Sequence, residues 1–107
     1  MTEQRMGEEY LRRRRLTMRE LQIIAGAGIG FTNAEIGRRL FVTEDTVKTH
    51  FRRALRKLGA ADRAQAVVCA IGLGYLDVVV NVDGKIGIVP GKLIPRNVDA
   101  GMGRWVA

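Results

Sequence analysis

Apolar residues between positions 42 and 59 recur with the period of an α-helix. The stretch reads VTEDTVKTHFRRALRKLG. Its apolar positions are spaced so that they share one side of a helix, an arc of roughly 100°. They are Val47, Phe51, Ala54, Leu55 and Leu58. Basic residues fill most of the other side, so the pattern predicts a half-buried helix with a basic face turned outward.

Capping residues mark the ends of this helix and of three others. Two of the predicted starts are capping boxes, in which a threonine is followed three residues later by a glutamate, in Thr17-Met-Arg-Glu20 and Thr32-Asn-Ala-Glu35. The basic helix starts after a threonine, and the acidic residues of its first turn suit the positive end of the helix dipole. The four predicted helices begin after Thr17, Thr32, Thr43 and Asp62 and end near Gly30, Leu40, Gly59 and Gly74.

The pattern changes after Gly74. The sequence LDVVVNVDGKIGIV is rich in β-branched residues and contains Asp83-Gly84, a two-residue turn signal. We therefore predict a β-hairpin over residues 77–82 and 85–89. The remainder has no apolar period and predicts an irregular tail, with Trp105 its only large anchor. The predicted fold class is mainly α, with four helices followed by a C-terminal β-hairpin and an irregular tail.

The chain is strongly basic for its size. It has 107 residues, which allows one small domain, and a formal net charge of +7. Such an excess favours a nucleic acid or an anionic membrane as partner. Part of it comes from the arginines at 12–15, which form either a solvated basic arm or an arm that contacts phosphates.

Long apolar runs are missing from the sequence. No run approaches the roughly 18 apolar residues of a membrane span. The N-terminus also lacks the apolar stretch of a signal peptide. We therefore expect a cytoplasmic, nucleoid-associated protein with no membrane partner.

Residue types that carry catalysis or bind metals are sparse. The chain has a single cysteine, Cys69, and a single histidine, His50. Without a second ligand at metal-binding spacing, or a nucleophile and an acid beside the histidine, we expect neither a zinc site nor general base catalysis. The glycines of GAGIG follow a helical pattern rather than a strand, which argues against a dinucleotide-binding fingerprint. We therefore expect no cofactor and no enzyme activity.

A short helix, the turn FVTE and the basic helix together form a helix-turn-helix pattern. An α-helix about 10–12 Å across fits the major groove of DNA, where the base edges can be distinguished. Residues in its first turns reach bases, while flanking basic groups and helix N-termini hold phosphates. The pattern therefore favours double-stranded DNA as the partner.

Several short motifs lie along the helical part of the chain. They are Leu16-Thr17 with Arg19-Glu20, Thr32-Asn33-x-Glu35-Ile36, Thr46-Val47-Lys48-x-His50, Lys57-Leu58-Gly59 and Arg63. Together they make the segment from Leu16 to Leu76 resemble the C-terminal DNA-binding domain of LuxR-type transcription regulators, also called the NarL/FixJ or GerE type. The resemblance implies a four-helix domain in which residues 43–58 form the recognition helix and the fourth helix can dimerise.

The resemblance also implies roles for individual residues. The side chains that would face bases are Lys48, Thr49 and Arg52. Those on the phosphate side are Asn33, Thr46 and Lys57. Arg53 and Arg56 stand where the family varies, so only their place on the helix assigns them to phosphates. His50 lies at the border of the buried side, where its ring either packs near Ala54 or reaches a phosphate.

The fourth predicted helix carries small apolar residues through which two helices can approach closely. They are Val67, Ala70, Ile71 and Gly74. This apolar side is either core alone or also a dimer interface. The leading hypothesis is a sequence-specific transcription regulator that binds as a homodimer to two half-sites about 34 Å apart. The alternative is an interaction module that sequesters a full-length relative or contacts RNA polymerase.

The chain departs from the family pattern in three respects. Gly26, Gly28 and Ala54 stand where the family usually has larger or more helix-favouring residues. Each removes buried volume or adds backbone freedom, which predicts a core less stable than that of its relatives. Residues 1–15 are too few for the receiver or ligand-binding domain usual in the family, so we expect a standalone domain behind a basic arm. Residues 77–107 lie outside the family pattern, and their role stays open.

Overall fold

The computed structural model describes residues 15–80 and 82–92, and the backbone of Trp105 and Val106. The helices are α1 (Met18–Ile29), α2 (Asn33–Leu40), α3 (Glu44–Leu58) and α4 (Arg63–Gly72). The strands are β1 (Leu76–Val80), β2 (Ile86–Pro90) and β3 (Trp105–Val106). The predicted fold class, four helices followed by a β-hairpin, is confirmed. The predicted basic arm lies outside the described residues, apart from Arg15.

Side-chain caps begin all four helices, as predicted. The capping side chains, each of which accepts a hydrogen bond from a backbone N–H of its own first turn, are those of Thr17, Thr32, Thr43 and Asp62. Gly30 and Gly59 take left-handed φ angles of 103° and 66° and end α1 and α3. Helix α2 ends differently, on the exposed Phe41, whose φ of 59° is the one positive value at a non-glycine residue in the described chain.

Helix α1 lies at the centre of the helical part and packs against α3, α4 and β2. Its buried apolar side chains, each at most 1% exposed, are Leu21, Ile23, Ile24 and Ala25. Helix α3 contributes Val47, Phe51 and Ala54 to the core, as its apolar period predicts. This packing fixes the rotation of α3 about its own axis, and its opposite side is left in solvent.

Strands β1 and β2 form the predicted antiparallel hairpin. The register pairs Leu76 with Pro90 and Val80 with Ile86, so each predicted strand end is correct to within two residues. The segment between the strands contains Gly84 at a φ of 78°, a conformation that favours glycine. The turn signal Asp-Gly therefore located the hairpin correctly.

A third strand was not predicted. The backbone of Trp105 and Val106 pairs antiparallel with β2, opposite Ile88 and Gly87, so the expectation of an irregular tail is wrong at these two residues. Two residues are too short a run to show the alternation by which strands are recognised in a sequence. β2 is consequently the central strand of the sheet.

Gly28 lets the hairpin approach α1 closely. A Cβ atom at this glycine would lie 3.3 Å from Val67 Cγ1 and 3.5 Å from Ile88 Cδ1. Ile88 and Leu76, each 2% exposed, belong to the same buried cluster as Leu21 of α1. The sequence predicted lost volume at Gly28, whereas in the structure side chains from α4 and β2 occupy that space.

Candidate nucleic-acid interface

The outward side of α3 carries a cluster of cations, which we call the basic face. Its members, all exposed, are Lys48, Arg52, Arg53 and Arg56. Val47 and Ala54 on the other side of the helix are fully buried. The structure therefore brings these four predicted site residues together on one solvent-facing surface.

The first turns of α3 are held by weak local contacts. Thr43 Oγ1 accepts a hydrogen bond from the backbone N–H of Thr46 at 3.1 Å and lies 2.8 Å from the Thr46 hydroxyl. The Thr49 hydroxyl donates to the Asp45 carbonyl at 3.1 Å. Lys48 Nζ lies 3.9 Å from a carboxylate oxygen of Glu44, and both side chains are about half exposed. Such an exposed ion pair is worth at most about 1 kcal/mol, so it competes little with a DNA contact.

Lys57 stands apart from the basic face. Its ammonium donates to Glu20 Oε1 at 2.7 Å and to the Arg15 carbonyl at 3.2 Å. The Glu20 side chain is only 1% exposed. The structure thus gives Lys57, which was predicted to contact phosphate, an interior partner that joins the end of α3 to the start of α1.

The environment of Glu20 favours its charged form. Burial raises the pKa of this carboxyl, but the hydrogen bond from Lys57, the hydrogen bonds from Thr17 and the positive charge of Lys57 together outweigh that effect. The pKa of Glu20 therefore lies below its ordinary value. Spacing in the sequence did not reveal this pair, because its members are 37 residues apart.

Asn33, a predicted phosphate-side residue, is held by an arginine of α4. Arg63 donates from one terminal nitrogen to Asn33 Oδ1 and from the other to the Phe31 carbonyl, both at 2.8 Å. Its guanidinium also lies 5.0 Å from the centroid of the Phe51 ring. The sequence motif contained Arg63 but assigned it no role.

Helix α2 adds two arginines that were not among the predicted site residues. Arg38 and Arg39 are exposed in its last turn, where their charge suits the negative end of the helix dipole. The Arg39 guanidinium lies 4.0 Å from the centroid of the Phe31 ring. The adjacent arginines in GRRL were the available signal, and they place further positive charge on the helix that packs against α3.

This arrangement of helices and cations coincides with a family match. Residues 14–70 match the family described as bacterial regulatory proteins, luxR family. The match covers more than half of the chain. The chain belongs to the LuxR family. It therefore contains the LuxR-type helix-turn-helix DNA-binding domain of transcription regulators, which is a binding module and not an enzyme.

Individual LuxR-type relatives match the same region. The uncharacterized transcriptional regulatory protein YxjL of Bacillus subtilis is 50% identical over 60 residues, 56% of this chain and 28% of that protein. The transcriptional regulatory protein LiaR of B. subtilis is 50% identical over 64 residues, 60% of this chain and 30% of that protein. The HTH-type quorum sensing-dependent transcriptional regulator RpaR of Rhodopseudomonas palustris is 48% identical over 66 residues, 62% and 27% respectively. The chain spans less than a third of the length of each of these relatives.

The α4 residues predicted as core, or as core and dimer interface, are buried or partly buried in this LuxR-type domain, and the dimer interface stays a prediction. Ala70 is fully buried, and Val67 and Ile71 are partly buried against the same core cluster. Gly74 is half-buried beyond the end of α4, with a φ of 88°. The apolar residues that this part of the chain exposes are instead Val68 and Leu73.

Two further expectations concern metals and membranes. Among residues 15–80 and 82–92, no group of three His, Cys, Asp or Glu side chains is placed to hold a metal ion. In the same part of the chain, none of the helices has the length and apolar character needed to span a bilayer.

His50 is half-buried on α3, at the border that the sequence predicted.

Proposed function

We propose that the chain is a sequence-specific regulator of transcription that reads double-stranded DNA through the basic face of α3. One observation carries the proposal. Val47, Phe51 and Ala54 anchor one side of α3 in the core, and four cations occupy the side that this anchoring turns to solvent. An exposed basic helix beside a shorter helix is the geometry that enters a major groove.

The site residues divide into two proposed roles. The base-facing residues are Lys48, Thr49 and Arg52. The phosphate-facing residues are Asn33, Thr46, His50, Arg53 and Arg56. We assign Lys57 to holding α3 rather than to DNA, because its ammonium already compensates the buried charge of Glu20. Moving that ammonium to a phosphate would leave the buried Glu20 carboxylate without its counter-charge, which is costly.

The proposed regulator acts as a homodimer on two half-sites about 34 Å apart. The exposed Val68 and Leu73 support a contact surface on α4 that differs from the predicted one. Val68→Glu would place a charge in that contact, and sedimentation analysis should then report a monomer. The matched control is Val82→Glu, the same substitution at a fully exposed position between the hairpin strands, which should leave a wild-type dimer.

Two neighbouring arginines test the DNA-reading roles. With a duplex selected from random sequence, Arg52→Ala should lose about 1–3 kcal/mol of binding free energy and relax the preference at one base position. Arg53→Ala should weaken binding to all duplexes alike and reduce the salt dependence. Lys48→Ala should behave as Arg52→Ala does. If Arg52→Ala and Lys48→Ala keep wild-type affinity and selectivity, the base-facing assignment is wrong.

An interaction module is the second candidate. It is favoured by the apolar side chains exposed on α4 and the hairpin, which are Val68, Leu73, Val78, Val80, Val82 and Ile86. Its partner would be a full-length relative or RNA polymerase. Stable capture of either, together with no salt-sensitive binding to any duplex, would favour this candidate over the DNA-reading regulator.

A further inference from the structure

We propose that Arg63 is a positioning residue, which orients the Asn33 side chain so that its amide nitrogen donates to a DNA phosphate. The proposal rests on the proposed function, since it concerns the same DNA complex. It assigns a task to a residue of α4 that is not a member of the basic face. It also explains how the neutral side chain of Asn33, on α2, is held in an orientation that suits a hydrogen bond to the DNA backbone.

The chemistry of the guanidinium fixes the orientation of the Asn33 amide. An arginine side chain has five N–H donors and no acceptor. The Asn33 atom that lies 2.8 Å from it must therefore be the oxygen, Oδ1, and the amide nitrogen must point elsewhere. The amide oxygen is thereby engaged by Arg63, and the two N–H donors of the amide nitrogen point away from Arg63.

Arg63 is itself fixed by three elements of the fold. It is the first residue of α4, directly after the capping Asp62. A second N–H group donates to the Phe31 carbonyl, in the link between α1 and α2, at 2.8 Å. Its guanidinium lies over the ring of Phe51, which α3 buries in the core. The hydrogen bond to Phe31 and the ring contact with Phe51 hold the guanidinium independently of Asn33, so its remaining N–H donors fix where Asn33 Oδ1 can bind.

The amide nitrogen of Asn33 is left with donor capacity. Within the described chain, no hydrogen bond from Nδ2 accompanies the one that Oδ1 accepts, and the residue is only half-buried. A phosphate oxygen is an acceptor that such a donor recognises, and side-chain amides are among the groups that contact phosphates in protein–DNA complexes. Because the phosphate carries no base identity, this contact should set the docking of the domain and not its sequence preference.

The experiment combines substitutions at the two residues with chemically neutralised phosphates. Asn33→Asp keeps an acceptor for Arg63 but removes the N–H donors, so it should stay folded and lose roughly 10- to 100-fold in affinity for every duplex. Arg63→Lys keeps the positive charge but cannot hold both acceptors with a planar fork, so it should lose most of the same affinity. In the Asn33→Ala background, Arg63→Lys should cause no further loss. Thermal unfolding of each variant verifies that the chain is folded at the binding temperature.

A methylphosphonate scan gives a readout that a purely structural role would not move. Neutralising one phosphate of the selected duplex should weaken wild-type binding and leave Asn33→Ala binding unchanged. Arg63→Lys should lose its sensitivity at that same phosphate. Equal sensitivity of wild type and Asn33→Ala at every phosphate, or additive losses in the double variant, would overturn the inference. If wild type selects no duplex at all, the proposed function fails as well, which separates the two failures.

Discussion

The helical domain and the hairpin differ in how far their apolar side chains are exposed to solvent. In α1 to α3 the large apolar side chains are buried or partly buried, the exposed Phe41 follows the end of α2, and the exposed side of α3 is basic. The hairpin buries Leu76 and Ile88 but exposes valines and an isoleucine towards its tip. The family match covers residues 14–70 and stops short of the hairpin. The hairpin therefore lies outside the matched family region and packs on the helical core through Leu76 and Ile88.

The register of the hairpin shows how this addition is attached. Leu76, Val78 and Val80 share one face of the sheet with the residues opposite them on β2, including Ile88. At the base, this face packs on α1, while further along it extends past the helices and becomes exposed. The hairpin is therefore anchored at its base, where Leu76 and Ile88 are buried against the helices, whereas the helical domain has buried side chains in all four of its helices.

The largest expected effect concerns the ion pair inside the helical domain. Lys57→Met should destabilise the fold by about 3–5 kcal/mol, because it leaves the buried Glu20 carboxylate uncompensated. Urea denaturation followed by circular dichroism measures the change. Arg56→Met, at the neighbouring exposed position, should stay within about 0.5 kcal/mol of wild type. Equal effects of the two substitutions would show that the pair does not hold α3.

Removing the contact between the hairpin and the helical domain should lower the free energy of unfolding nearly as much. Ile88→Ala deletes a buried side chain that packs on α1, and we expect a loss of about 2–5 kcal/mol in a single unfolding transition. Ile86→Ala, two residues earlier and exposed, should cost much less. If the helices of Ile88→Ala unfold at the wild-type denaturant concentration, the hairpin does not contribute to their stability.

A smaller effect tests the role of Gly28. Gly28→Ala adds a Cβ atom 3.3 Å from Val67 Cγ1, tight enough that this side chain must shift, while Ile88 Cδ1 at 3.5 Å stays at ordinary contact distance. In the Val67→Ala background this close contact is removed, and the better helix propensity of alanine should dominate. The double-mutant cycle should show a favourable coupling of about 0.5–3 kcal/mol. A coupling of zero would contradict close packing at this point.

The smallest expected effect is a pH dependence from one carboxyl group. The pKa of Glu20 is lowered in the folded state from an ordinary value of 4.5. Its contribution to stability is therefore present above that value and is lost as the pH falls through the lower folded pKa. Wild type should lose more stability than Glu20→Gln between pH 5 and pH 3, roughly the range of carboxyl titration, in urea denaturation. Parallel pH profiles for the two proteins would exclude this linkage.

Local signals predicted most of the elements, while contacts between distant residues escaped prediction. Thr17 and Thr32 identified helix starts because a capping box acts within four residues. The basic face could be predicted as well, because the apolar period of α3 is a pattern within a single helix. The partner of Lys57 and the contact between Arg63 and Asn33 depend on how whole helices pack against each other. Neither spacing nor composition contains that information.

The most direct test of the central claim measures which region lies in the groove. In a Cys69→Ser background, Thr49→Cys on α3 and Ile86→Cys on the hairpin each carry a short photo-crosslinker, and the protein is bound to its selected duplex. Crosslinks to bases should form from position 49 and not from position 86. Base crosslinks from position 86 with none from position 49 would contradict DNA reading by the basic face of α3.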